Sequence, residues 1–538
     1  MANTLYYGDN LDVLKAHIPN ESVDLIYLDP PFNSNRSYNV LFKAHGEEAQ
    51  AQIEAFDDTW HWSQPTEAQY AALVAGGAPI KVAEAIEAMH ALLGPNDVFA
   101  YLVMMTARLV ELHRVLKPTG SIYLHCDPTA SHYLKILMDS IFGVENYRND
   151  IVWKRKAGRG ETQNAARRFG VSNDNLLFYA KSPATPFVRQ YRPSNPDYVA
   201  TKFTHVEEGT GRRYRLDNLT SPSYRKNLVY EYKGYSPPPK GWAVGLEKMQ
   251  QMEADNRLYL PEKKSQRIQR KRYLDELEGE TVDSLWDDIP PINSQAKERL
   301  GYPTQKPLAL LERIIAASSQ PGDVVLDPFC GCGTAVDAAQ KLGRKWIGID
   351  ITYLAIDLIN KRLIHTYGDE IESTFEIHGI PTDLLGAEAL FHENAFDFER
   401  WAVSLVNGQP NEKQVGDKGI DGRIRFYADK DKIGTMVVSV KGGKSVAPTM
   451  MRDLVGTVQD HKADMGLLIM MSQPTKGMIE LADHSGTYIV PLTGTIFPKV
   501  QIITIAELLA GNVPKMPTAI PPYIQAAPKP GSEAVSMF

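Results

Sequence analysis

Residues 22–29 (SVDLIYLD) form a short, nearly continuous apolar run that ends in a carboxylate and two prolines. Such a run predicts a strand buried on both faces, delivering Asp29 to its C-terminal end, the edge of an open α/β sheet where ligands bind. From Tyr101 to Leu116 apolar residues recur at helical spacing; Lys117–Gly120 then reads as a turn and Ser121–His125 as another strand. A second unit runs from Leu308 to Ile351: a helix through Ser319, a Gln-Pro-Gly-Asp turn, a strand Val324–Leu326, a glycine loop, a helix and a strand Trp346–Asp350. Strand, glycine turn, helix, strand and terminal acid make a nucleotide-binding βαβ unit. The predicted fold class is α/β, with a Rossmann-like sheet.

Between these units, residues 154–285 change character. Lys154, Arg155, Lys156, Arg159, Arg167 and Arg168 form one basic cluster, and Lys263, Lys264, Arg267, Arg270, Lys271 and Arg272 another. Tyr191, Tyr198, Tyr214, Tyr224, Tyr230, Tyr232 and Trp242 are interleaved. Basic groups bind phosphates and aromatic faces stack on exposed bases, whereas the plainer reading of the second cluster is a solvated helix face. After Ile380 the pattern predicts a helix over Phe396–Val406 and a hairpin of Gly419–Tyr427 with Thr435–Lys441. The proline- and alanine-rich tail from Val513 reads as a loose extension.

The chain has 538 residues, too many for one ordinary core. No apolar run approaches the ~18 residues that span a bilayer, and the N-terminus lacks a basic start with an apolar stretch, so a cytoplasmic protein without membrane contact is expected. Three cysteines, Cys126, Cys330 and Cys332, make neither a disulfide framework nor a zinc site. The net charge of -7 requires any DNA-binding surface to be a local basic patch.

The chemistry is concentrated in two strings. In Asp29-Pro30-Pro31-Phe32, a carboxylate and the Pro30 carbonyl can accept the two N–H bonds of an exocyclic amine, freeing a lone pair otherwise delocalised into a base. Phe32 would stack on a base rotated out of the duplex. A C5-directed enzyme would need a cysteine nucleophile, usually after proline; here Cys126 follows His125 and Cys330 follows Phe329. In the second string, 327–334 (DPFCGCGT), two glycines allow close backbone approach to a ligand, and Asp350 is placed for ribose hydroxyls. The loop is F-x-G-x-G, not the G-x-G-x-x-G of a dinucleotide site.

Together these strings resemble the amino-group DNA methyltransferases of the class whose catalytic motif precedes the cofactor motif, over roughly residues 3–370. Segments 120–127 and 172–181 match two further family blocks. The resemblance implies an S-adenosylmethionine site containing Asp9 near the cofactor adenine, Lys306 near its methionine, and Asp327, Phe329, Gly331, Gly333, Thr334 and Asp350 around the glycine loop. It implies methylation of duplex DNA, with N6-adenine ahead of N4-cytosine because position 29 is Asp, and target recognition after Lys181. A glutamine methyltransferase would carry Asn in place of Asp29. A homodimer is expected only by fold-level analogy.

At the C-terminus, Asp421 and Lys441 fall on adjacent strands of the predicted hairpin, a carboxylate for Mg²⁺ and a lysine for phosphodiester hydrolysis. Residues 390–510 resemble Mrr-type restriction endonucleases of the PD-(D/E)xK superfamily, with Glu399 at the helical acid position. Ser439 departs from the family's usual Glu or Gln, and Glu399, Asp417 or water would have to compensate. Val438 stands where a P-loop ending at 442–445 (GGKS) needs its first glycine, so ATP is not implied. The expected organisation is a catalytic half over 1–153, target recognition over 154–285, a cofactor half over 286–380, a nuclease-like domain over 381–512 and a tail over 513–538. The expected function joins adenine methylation with Mg²⁺-dependent cleavage; the alternatives are N4-cytosine methylation, or a solitary methyltransferase whose C-terminal domain only binds DNA.

Overall fold

The computed structural model describes residues 2–520 apart from 32–36, 45–46, 58–60, 129, 156–169, 294–295, 297, 301, 303, 411–418, 430–431 and 492, with backbone alone for 37–44, 47–57 and 520. Phe32, Asp417 and the basic residues Lys156, Arg159, Arg167 and Arg168 lie outside the described residues. The chain divides into two compact units, one built from Met1–Val188 with Ser284–Phe538 and the other from Arg189–Asp283.

The larger unit contains a nine-stranded sheet. Its order is Leu285–Trp286, Tyr147–Lys154, Asn173–Ala180, Leu116–Cys126, Val23–Leu28, Val324–Asp327, Lys345–Asp350, Asn3–Tyr7 and Phe375–His378. Asn173–Ala180 runs antiparallel to both neighbours, and the other pairings are parallel. The central strands are apolar throughout because helices cover the sheet. Leu25, Ile26, Leu28, Leu326, Ile347 and Ile349 are buried, and several share one core with the helices Asn10–His17, Asp97–Val115 and Ser131–Phe142. The two βαβ units meet where Val23–Leu28 pairs with Val324–Asp327. Adjacent carboxyl ends there belong to segments three hundred residues apart, the position at which open α/β sheets form ligand crevices.

The predicted turn at Lys117–Gly120 lies within the span of a longer strand, Leu116–Cys126. The pairing nevertheless jumps from Val23 opposite Leu116 to Leu25 opposite Ser121, so these residues bulge from the ladder. Lys117 anchors the bulge by donating to both Asp24 carboxylate oxygens at 2.8 Å.

The same unit carries a C-terminal sheet ordered Gln409–Pro410, Gly422–Asp429, Lys432–Lys441, Met465–Met470 and Val500–Thr504. The predicted hairpin is present, with Gly422 opposite Val438. Period-two alternation fills both faces: Met436, Val438, Val440, Leu467 and Ile469 enter one core, while Val437, Leu468 and Met470 enter another. Among the described residues no helix is long and apolar enough to cross a membrane.

The smaller unit has a four-stranded sheet ordered Leu258–Tyr259, Gln269–Tyr273, Arg213–Asn218 and His205–Val206. Two expectations are corrected here. Arg270, Lys271 and Arg272 lie on a strand, not a helix face, and are ion-paired with Asp217, Glu207 and Asp217 respectively. Trp242, Tyr232 and Tyr214 are buried, because this short segment has few aliphatic residues from which to build a core. Tyr191 and Tyr224 remain exposed.

Candidate methyltransferase site

Asp29 directly follows the strand Val23–Leu28, while Asp327 and Asp350 end their own strands, so three carboxylates stand at one edge of the sheet. They line a cavity of about 400 Å³ together with Asp9, Tyr27, Pro31, Tyr302, Lys306, the glycine loop and Thr352. That size is within the range of small-molecule sites. Lys306 Nζ donates to Asp29 Oδ2. The other oxygen, Oδ1, is buried without a hydrogen-bond partner among the described residues. A buried carboxylate oxygen left open in this way is an acceptor waiting for a donor.

The glycine loop is built for close approach. Gly331 and Gly333 have φ of +49° and +74°, in the left-handed region. A Cβ on Gly331 would meet the Tyr302 ring at 3.3 Å, and one on Gly333 would come within 2.6 Å of Ile359. Both positions therefore need glycine. Gly333 caps helix Thr334–Lys341, whose first residues Thr334 and Ala335 line the cavity.

The acids are held differently from one another. Asp327 Oδ1 accepts from the Phe329 N–H at 3.1 Å. Burial pushes its carboxyl well above the usual range, the Phe329 hydrogen bond opposes this, and the neighbouring Asp29 and Asp350 charges add to the rise. Asp350 Oδ2 accepts from Gly331 N–H at 2.9 Å, and Oδ1 from Thr352 N–H and Oγ1 at 2.9 and 2.7 Å. Burial still raises its pKa against these bonds. A crevice with this many carboxylates suits a cationic ligand, which would relieve their mutual repulsion.

Asp9 lines the cavity, yet its carboxylate also caps helix Asn10–His17 by accepting from Leu11 N–H at 2.7 Å, and it pairs with Arg108 at 2.7 Å. Asn10 takes the Nε–H of Arg108 and donates to the Pro328 carbonyl at 2.7 Å, tying the N-terminal segment to the glycine loop. Arg108 escaped the sequence reading, although it is the one charged residue between Val98 and Val110 and a buried arginine there requires partners. A further chain was also missed: Tyr27 Oη meets His125 Nδ1 at 2.9 Å, and His125 Nε2 meets Asp174 at 3.2 Å. All three are buried, and Tyr27 lines the cavity.

The nuclease candidates also converge. Asp421 Oδ2 accepts from Val440 N–H at 2.6 Å and from Ser439 Oγ at 3.2 Å, with Lys441 Nζ at 3.8 Å. Burial, then the Asp421 charge, pushes Glu399 up to about 7 against the pull of Lys441.

A DNA methylase family model, that of the N6/N4 methyltransferases, matches residues 23–361. The chain belongs to this family. A second model, a NACHT-associated inactive restriction endonuclease, matches residues 395–510. Among similar proteins, Type II methyltransferase M.EcaI of Enterobacter cloacae is 28% identical over 365 residues, 67% of this chain and 69% of that protein. The Type III StyLTI Mod subunit of Salmonella typhimurium is 27% identical, over 64% of this chain but half of its own length. DNA adenine methyltransferase YhdJ of Escherichia coli is 26% identical, over 67% of this chain and 83% of its own. The solved M1.HpyAVI–SAM complex is 16% identical, covering 67% of this chain and 98% of that one at a TM-score of 0.31. This DNA methyltransferase uses S-adenosylmethionine, and the residues present fit it: glycines where the backbone must approach a ligand, and a cluster of carboxylates suited to a cationic group.

Proposed function

We propose that this methyltransferase modifies the N6 amino group of adenine in double-stranded DNA. The observation that carries the proposal is Asp29, which lines the cavity: one oxygen is clamped by Lys306, and the other is buried without a hydrogen-bond partner among the described residues. In this mechanism Asp29 Oδ1 and the Pro30 carbonyl accept the two amine hydrogens, turning the nitrogen lone pair out of conjugation. The clamp fixes the carboxylate rotamer before substrate arrives. The cofactor supplies an electrophilic methyl group on a sulfonium. As the amine becomes cationic, Asp29 stabilises the developing charge and stands in line for the released proton.

Asp327, Phe329, Gly331, Gly333, Thr334 and Asp350 would hold the cofactor. Asp9 acts mainly through the segment that it caps, and Phe32 stacks on the extruded base. The exposed Lys263, Lys264, Arg267 and Tyr224 of Arg189–Asp283 are the groups best suited to contact DNA. Adenine is favoured by Asp at position 29 and by the likeness to an adenine methyltransferase. With methyl-labelled cofactor and unmethylated duplex DNA, the label in enzymatic digests should migrate as N6-methyldeoxyadenosine. Label in N4-methyldeoxycytidine would overturn the base assignment.

For the C-terminal sheet we favour a nuclease fold without cleavage activity, retained to engage DNA. A serine, not a carboxylate, stands at position 439, and Asp421 already accepts from Val440 N–H and Ser439. The similarity to an inactive endonuclease family points the same way. Unmethylated plasmid should stay intact with the protein and Mg²⁺. Breaks that disappear in Lys441→Ala would establish the opposite.

A further inference from the structure

One carboxylate of the cofactor cavity comes from outside the region matched to the methylase family. Asp397, in the first turn of helix Ala395–Leu405, lines the cavity beside Ile351 and Thr352. It belongs to the 395–510 segment that resembles an endonuclease. The helix is fastened to the cofactor half at several points. Tyr7 lies beside Asp397, its ring meets Tyr353 edge-on at 6.2 Å, and Tyr353 lies beside Ser404. Tyr353 is itself part of the C-terminal core, with Phe398 and Trp401. Asn394 Nδ2 donates to Asp397 Oδ2 at 2.7 Å and orients the carboxylate.

The surroundings of Asp397 define what it can receive. Ile351, next to the strand-end acid Asp350, is 60% exposed and offers a bare apolar face to the cavity. A flat ring can cover Ile351, and a donor on its edge can reach a carboxylate that has four lone-pair sites and accepts from Asn394. The methyl end of the cavity is assigned to Asp29. That leaves the region past Asp350 for the adenosine moiety. We propose that Asp397 binds the cofactor, accepting a hydrogen bond from its adenine amino group while Ile351 packs against the ring. The endonuclease-like segment then completes the methyltransferase site. Asp397 and Glu399, two residues apart on one helix, then belong to two different clusters, the cofactor cavity and the Asp421–Lys441 group.

This inference rests on assigning the cavity to S-adenosylmethionine, and the test separates the two. Titration calorimetry of the full chain would compare S-adenosylhomocysteine with S-inosylhomocysteine, which lacks the amino group. Asp397→Ala should weaken the adenosyl ligand at least about tenfold, the usual size of a lost hydrogen bond to a charged group, and leave the inosyl ligand nearly unchanged. Asp397→Asn, which keeps an acceptor oxygen, should lose less. Unchanged adenosyl affinity in Asp397→Ala, or equal losses for both ligands, would overturn the contact. If the unaltered protein binds neither ligand, the cofactor assignment falls and the inference with it.

Discussion

Asp29→Ala should abolish detectable methyl transfer while leaving S-adenosylhomocysteine binding close to that of the unaltered protein. The variant removes the acceptor proposed to orient the amine, and orientation plus stabilisation of developing charge together account for rate factors of about 10³ or more. It also removes the carboxylate that pairs with Lys306, which shifts the local charge against a cationic sulfonium. The loss should therefore appear first in kcat, with a smaller loss of affinity for the cationic S-adenosylmethionine and none for the neutral-sulfur product. Asp29→Asn separates these effects: it keeps an acceptor oxygen but loses the charge, and should retain a trace of activity. Single-turnover transfer of labelled methyl to duplex DNA, beside calorimetry, measures both quantities. Transfer by Asp29→Ala at even a tenth of the normal rate would remove Asp29 from the chemistry.

The central sheet was legible because a strand buried on both faces must be apolar, and because Asp29, Asp327 and Asp350 punctuate the ends of such runs. The glycine loop was legible for a related reason: φ near +50° to +75° at Gly331 and Gly333 leaves little choice of residue. Pairings across long separations were not. Asp9 carries the same side chain whether it contacts a ligand or caps a helix, and only Arg108, 99 positions away, decides how much of its carboxylate is spoken for. The aromatics of Arg189–Asp283 suggested stacking faces, yet Trp242 and Tyr232 are spent on a core. Asp397 carries no local signal, since its place at the cavity depends on how helix Ala395–Leu405 docks.

Arg108→Ala should be the most damaging change away from the reacting atoms, lowering both stability and cofactor affinity. The guanidinium is buried, and burial pulls its pKa down while Asp9 pulls it back. It donates to Asp9 at 2.7 Å, to Asn10 and, at 3.3 Å, to the Met104 carbonyl. Breaking a buried pair by removing one partner costs about 3–5 kcal/mol. The lower end applies here, because the Asp9 side chain is 36% exposed and keeps the Leu11 N–H. Asn10 loses the bond that orients it toward Pro328, so the loop preceding Phe329 loses its tie to the N-terminal segment. Arg108→Lys can restore the charge opposite Asp9 but not three directed donors at once, and should recover only part of both losses. Thermal melting with and without S-adenosylhomocysteine would show it: a lower midpoint for Arg108→Ala, a smaller ligand-induced rise, and intermediate values for lysine. A variant that melts early but keeps the full ligand-induced rise would confine Arg108 to the fold.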